Sequence, residues 1–197
     1  MKSFLLVLLL LNTINAQWVS DSTINNPICT AADYQRNPQL TTDGNGGAII
    51  VWEDRRTFSN QQDLYAQLIN SDGYIQWTND GIIVSTETDD QVTHQIISDG
   101  NGGAIIVWQD KRASDFDLYA QRIDENGNPL WIIDGVELCD EGNNQSSPVM
   151  ISDGAGGAII VWHDVRNGTD MDIFAQRINS NGNKLWIAEG VSICEET

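Results

Sequence analysis

Three sets of charged residues recur along the chain with the same spacing. Asp54, Arg56 and Asp63 are matched by Asp110, Arg112 and Asp117, and again by Asp164, Arg166 and Asp172. A guanidinium beside carboxylates offers a planar donor fork that can hold an anionic ligand or close an ion pair. As ligand sites these would be three carboxylate–Arg centres, one per copy. As structure, each Arg pairs with its Asp neighbours and ties one strand to the next. The uniform recurrence favours the structural role, because a catalytic centre requires an arrangement unlike its surroundings.

Other chemistry-bearing residues form weaker constellations. Glycoside hydrolysis needs two placed carboxylates, and Glu53, Asp90 and Glu125 are acids outside the recurrence, but none carries an accompanying signature. Asp43, Asn45 and Asp54, with Asp99, Asn101 and Asp110, mimic calcium-loop positions. In that count an alanine falls where the loop needs glycine, and an apolar run replaces the rest of the loop. No resident cofactor or metal is therefore expected, although an acidic chain allows weak Ca²⁺ binding at other loops. His94 and His163 are non-equivalent and have no local Cys, so they point to surface or packing roles rather than a transition-metal site. The Asp-Gly-x-Gly-Gly segments are glycine-rich, but each leads into a strand and lacks the helix N-terminus that holds a phosphate.

The elements that position these residues come from an internal repeat of about 55 residues. Residues 43–52, Asp-Gly-Asn-Gly-Gly-Ala-Ile-Ile-Val-Trp, recur at 99–108 and, with one change, at 153–162. Each copy continues through the Asp and Arg above into Asp-Leu-Tyr-Ala-Gln, or Asp-Ile-Phe-Ala-Gln in the third. A Gly then precedes a second Trp by four residues, and another Gly follows it by four. The first Trp position is held by Trp52, Trp108 and Trp162. The second is held by Trp77, Trp131 and Trp186, with Trp18 as a leading fourth member. Fifteen of the 17 Gly fall on repeat positions, so they belong to the architecture and not to a flexible linker. Cys29, Cys139 and Cys194 share one position with Ser85. Equivalent sites in successive repeats lie too far apart for a disulfide, so these are expected to be small, buried, reduced residues. A bridge from Cys29 to Cys194 would require the two ends to meet.

Each unit reads as four strands with almost no helical signal. The first covers 36–42, 93–98 or 148–152, and the glycine-rich turn follows. The second, 48–52 and its copies, is a continuous apolar run suited to a strand buried on both faces. The third covers 64–69, 118–123 or 173–178 and alternates apolar with polar residues. The fourth runs through the second Trp towards Val84, Leu138 or Ile193. Four short antiparallel strands with a doubly buried second strand predict one blade of a β-propeller. The first Trp of each copy would then pack between blades. A two-sheet sandwich would explain the strands but not the threefold copy of both Trp and Gly positions.

The chain has 197 residues, 28 acidic and 10 basic side chains, and a net charge of −18. Its apolar fraction of 41% supports a core and argues against wholesale disorder. The charge argues against nucleic acid and anionic membrane as partners. Residues 1–16 read as a secretory signal peptide: Lys2, an apolar run over 4–11, then a polar stretch ending at Ala16. Eight apolar residues are too short to span a bilayer. The expected location is secreted, extracellular or periplasmic.

The pattern G-G-A-I-I-V-W-x-D-x-R, then D-[LI]-[YF]-A-Q, then G-x-x-L-W in its second and third copies, resembles repeats of bacterial secreted proteins. The resemblance covers 17–197 and implies a propeller with a blade layout similar to sialidase-like proteins. The sialidase Asp-box, Ser-x-Asp-x-Gly-x-Thr-Trp, is absent here. The expected fold is all-β, with three four-stranded antiparallel propeller-type blades over 36–90, 91–144 and 145–197, behind a leading strand and linker over 17–35. The expected function is non-catalytic binding or scaffolding, through loops where the copies differ: 57–62, 113–116 and 167–171. The ligand would be a protein or a glycan. A sialidase-like carbohydrate-active protein, or a fragment of one, is the alternative. Propellers usually need at least ~4 blades to close. Three blades imply either copies that associate to complete a ring or a truncated form of a longer repeat protein.

Overall fold

A computed structural model of the chain describes residues 25–57 and 60–194. The signal segment 1–16 and Trp18 lie outside the described residues. Among those described, all regular structure is β, and no helix is long and apolar enough to cross a membrane. Twelve strands form three separate four-stranded antiparallel sheets, each in sequential order. Sheet 1 contains β1 (Gln35–Thr42), β2 (Ala48–Asp54), β3 (Asp63–Ile69) and β4 (Ile82–Ser85). Sheet 2 contains β5 (Gln91–Ser98), β6 (Ala104–Asp110), β7 (Asp117–Ile123) and β8 (Val136–Cys139). Sheet 3 contains β9 (Gln145–Ser152), β10 (Ala158–Asp164), β11 (Asp172–Ile178) and β12 (Val191–Cys194). The chain is thus an unclosed array of three propeller-like blades.

The turn chemistry explains the first hairpin of each sheet. Asp43 Oδ1 accepts the amides of Asn45 and Gly47, both at 2.8 Å, and Asp99 and Asp153 do the same in their copies. Gly44 and Gly46 have φ of 80° and 89°, a region closed to most side chains. The register then pairs Thr42 with Ala48 and, across the next turn, Asp54 with Asp63.

The first strands β1, β5 and β9 pack side by side and form the inner edge of the stack. Each carries a bulge with a non-glycine residue at positive φ: Asn37, Thr93 and Ser147. The four-residue strands β4, β8 and β12 form the opposite edge, short as unpaired edges commonly are.

The core lies between sheets. Ile49, Val51, Leu64 and Val84 of sheet 1 meet Ala104, Ile106, Trp108 and Ile123 of sheet 2. Ile105, Val107, Leu118 and Leu138 of sheet 2 meet Ala158, Ile160, Trp162 and Phe174 of sheet 3. Odd and even residues of β6 therefore face different neighbours, and all seven are buried. The outer sheets show the missing neighbour. Ala48 and Ile50 of β2 are half-buried on one face, as are Ile159, Val161 and His163 of β10 on the other.

The limits of the fourth strands need correction. The fourth strands begin at Ile82, Val136 and Val191, so Trp77, Trp131 and Trp186 precede them in the connecting turns. Their backbone amides are engaged by a glutamine side chain instead of a ladder, as described below. Residues 25–34 form no strand, and Gln35 already belongs to β1. The remainder of the expected leading strand, 17–24, lies outside the described residues.

Candidate functional site

The repeated Asp–Arg set forms at the end of each second strand, where the loop to the third strand begins. Asp54 Oδ2 accepts the Trp52 indole N–H at 2.8 Å and Arg56 Nη2 at 2.5 Å, and its Oδ1 accepts the Arg56 amide at 2.8 Å. The copies match, with Arg112–Asp110 and Arg166–Asp164 both at 2.6 Å and the indole bonds of Trp108 and Trp162 at 2.8 Å. Each guanidinium lies over the aromatic ring of the third strand: Arg56 on Tyr65, Arg112 on Tyr119 and Arg166 on Phe174, at 4.0, 3.8 and 3.7 Å. The tie between second and third strands therefore runs through a cation–π contact.

Burial alone would favour the neutral form of Asp54 and Asp164. The hydrogen bonds from Arg, Trp and the backbone outweigh it and hold both below the usual carboxylate range. Both oxygens of each of these carboxylates accept hydrogen bonds.

The arginines form ion pairs with the first Asp of each set, and Asp63, Asp117 and Asp172 stand opposite that Asp across the β-ladder. Burial pushes Asp63 upwards, with Thr57 and Arg56 offsetting part of the effect. Asp117 is raised to about 6, first by burial and then by the charges of Asp140, Asp115 and Glu137. Asp172 accepts Asn167 Nδ2 at 3.0 Å.

The second tryptophans are held by the glutamine that ends the Tyr/Phe-Ala-Gln motif. Gln67 Oε1 accepts the amides of Leu68 and Trp77, while its Nε2 donates to the Thr78 carbonyl. Gln121 and Gln176 repeat this arrangement around Trp131 and Trp186. Trp77 and Trp131 then donate their indole N–H to the following sheet, at the Glu125 and Ser180 carbonyls, both 3.1 Å. Among the described residues no sheet follows that of Trp186, which is 37% exposed, against 7% for Trp131.

A pairing that the sequence does not show joins Glu53 of β2 to His94 of β5, across sheets 1 and 2. Glu53 is buried and accepts Arg36 Nε at 2.9 Å, Asn37 Nδ2 at 3.0 Å and the Thr93 amide at 3.2 Å. His94 Nδ1 is 4.0 Å from Glu53 Oε1, and both side chains are almost fully buried. Burial lowers the His94 pKa, with Glu53 opposing in part. Together with Gln39 and Gln95 these residues line a small polar cleft. The available signal was departure from the repeat: Glu53 stands where Gln109 and His163 do, and His94 where Pro38 and Pro148 do.

The calcium-like count does not converge, because Asp43 and Asp54 flank opposite ends of β2. Glu137, Asp140 and Glu189 do cluster, but Lys184 Nζ reaches Glu137 at 3.5 Å and Glu189 at 3.7 Å and supplies the local positive charge. The three cysteines are unbridged. Only Cys139 is fully buried, and burial raises its thiol to about 12. Cys29 is half-buried and Cys194 exposed, which corrects the expectation of uniform burial.

The loops where the copies differ follow β2, β6 and β10, with 58 and 59 of the first outside the described residues. No protein-family model matches the chain, and no curated protein matches it.

Proposed function

We propose that this is a secreted, non-catalytic β-propeller-type repeat protein that acts in binding or scaffolding. One observation carries the reading: the two outer faces of the stack present the same kinds of apolar side chain that the inner junctions bury. Ile193 is 62% exposed, whereas its equivalent Leu138 is fully buried. Exposed apolar faces of this kind mark association surfaces. Asp54, Asp110 and Asp164 with their arginines support the same reading, because their hydrogen bonds fix the blades. The variable loops at 57–62, 113–116 and 167–171 offer a second surface for a protein or glycan ligand.

A glycan array probed with the mature chain, 17–197, tests the loop surface. Saturable binding that is lost when the three loops are replaced by Gly-Ser supports it. Turnover of aryl glycosides or sialosides by the same preparation would overturn the non-catalytic reading.

A further inference from the structure

The two inner junctions use one set of contacts. From sheet 1 to sheet 2, the Trp77 indole donates to the Glu125 carbonyl and lies against Gly127, where an added Cβ would sit 3.1 Å from the ring. The Thr86 amide donates to Asp134 at 3.2 Å. From sheet 2 to sheet 3, Trp131 reaches the Ser180 carbonyl and lies against Gly182, and the Asp140 amide donates to Glu189 at 3.3 Å. Cys139 Sγ is 3.4 Å from Arg166 Nη2.

Sheet 3 carries the donating half of this set, and sheet 1 carries the receiving half. Trp186, Ile193 and Cys194 correspond to Trp131, Leu138 and Cys139, and all three are exposed. On sheet 1, Ser71 and Gly73 correspond to Ser180 and Gly182, Asp80 to Glu189, and Arg56 to Arg166. Leu40, on the same face, is 67% exposed.

Residues 26–30 occupy part of the receiving half. The Thr30 amide donates to Asp80 Oδ1 at 2.6 Å, as Asp140 does to Glu189. Cys29 Sγ lies 3.0 Å from Arg56 Nη2, as Cys139 does from Arg166. Asn26 Nδ2 donates to the Gly73 carbonyl at 3.3 Å, beside the tryptophan seat. This segment belongs to no sheet, yet it reproduces the contacts made by the end of a fourth strand.

We infer that the partner of both open faces is a second copy of this chain, joined head to tail, and that residues 26–30 are a placeholder the incoming sheet 3 displaces. Trp186 of one copy seats on Gly73 of the other and donates to the Ser71 carbonyl, and Cys194 takes the place of Cys29 beside Arg56. The inference deepens the scaffolding reading and rests on it. The contact is heterologous, so two copies close a ring or further copies extend a filament. The net charge of −18 opposes approach, and salt weakens that opposition.

The test uses the mature chain at high salt over a hundredfold dilution series, followed by sedimentation velocity and by iodoacetamide labelling of Cys194. The chain should assemble with rising concentration, and Cys194 labelling should slow at least ~tenfold in the assembly. Asn26→Ala with Thr30→Pro weakens the placeholder and leaves Asp80 and Gly73 intact. It should shift assembly to ~tenfold lower concentration. Ile193→Asp alters a side chain exposed in the single chain, so it should leave the near-UV circular dichroism unchanged and abolish assembly.

A mature chain that stays monomeric throughout, or an assembly that survives Ile193→Asp or leaves Cys194 reactive, overturns the inference, whether or not the placeholder variant folds. A monomer that still binds a glycan through its loops would sink this inference and spare the binding reading. Assembly without any array ligand would do the reverse for the loop surface.

Discussion

Gly135 lies against the six-membered ring of Trp108, so close that an added Cβ would stand 2.5 Å from Cη2. Gly81 and Gly190 bear the same relation to Trp52 and Trp162. The glycine four residues after the second Trp is thus required by the first Trp of its own sheet. Its φ of 93° adds a second reason for glycine. Gly135→Ala combines backbone strain with overpacking against a buried ring and should cost about 2–4 kcal/mol. Urea unfolding checks this: the midpoint should fall with the slope unchanged.

Asp164→Ala leaves the Trp162 indole and the Arg166 guanidinium without their shared acceptor. Breaking a buried pair in this way should cost about 3–5 kcal/mol. The Asp164 pKa is depressed in the folded chain, so its stabilisation is present above the unfolded value of about 4. That contribution disappears as pH falls through the folded value. Acid unfolding of the parent should therefore steepen below pH ~4, and the variant should show a shallower loss there.

Asp117 has the opposite sign. Its folded pKa of about 6 exceeds the ordinary 3.8, so the folded state holds the proton where the unfolded state has released it. Stability from this group falls as pH rises from about 4 to about 6 and stays low above that window. Asp117→Asn should raise the melting temperature at pH 7 and flatten the pH dependence across the window. An unchanged melting temperature at pH 7 would show that the buried charge carries no cost.

The three thiols should label in an order set by position in the stack. Cys194 is exposed, Cys29 half-buried and Cys139 buried with its thiol raised to about 12. Iodoacetamide followed by mass spectrometry on dilute protein should modify Cys194 first and Cys29 next. Cys139 should react only under conditions that open the junction between sheets 2 and 3. Early labelling of Cys139 would mean that the junction is open in solution.

Much of the fold was readable without coordinates, and the site less so. Strand positions followed from the Asp-Gly-x-Gly-Gly turn and the apolar runs after it, because a tight turn and a two-residue period are local properties. The sequence pattern starts the fourth strand too early, since Trp77, Trp131 and Trp186 look like strand residues but are held by the Gln67, Gln121 and Gln176 side chains. In the sequence the Arg56 fork suits Asp54 and Asp63 alike, whereas in the fold it pairs with Asp54 and lies over the Tyr65 ring. Glu53 and His94 lie 41 positions apart and meet only because sheet stacking brings β2 against β5.

The sequence by itself determined that the protein is a threefold β repeat, because period, turn residues and doubly apolar strands are written into each copy. Only the tertiary structure decided what each copy experiences. Cys139 and Cys194 stand at one repeat position, yet one is sealed and the other faces solvent. The difference comes from stacking: burial here is supplied by the neighbouring sheet, and the outer sheets each lack one neighbour among the described residues.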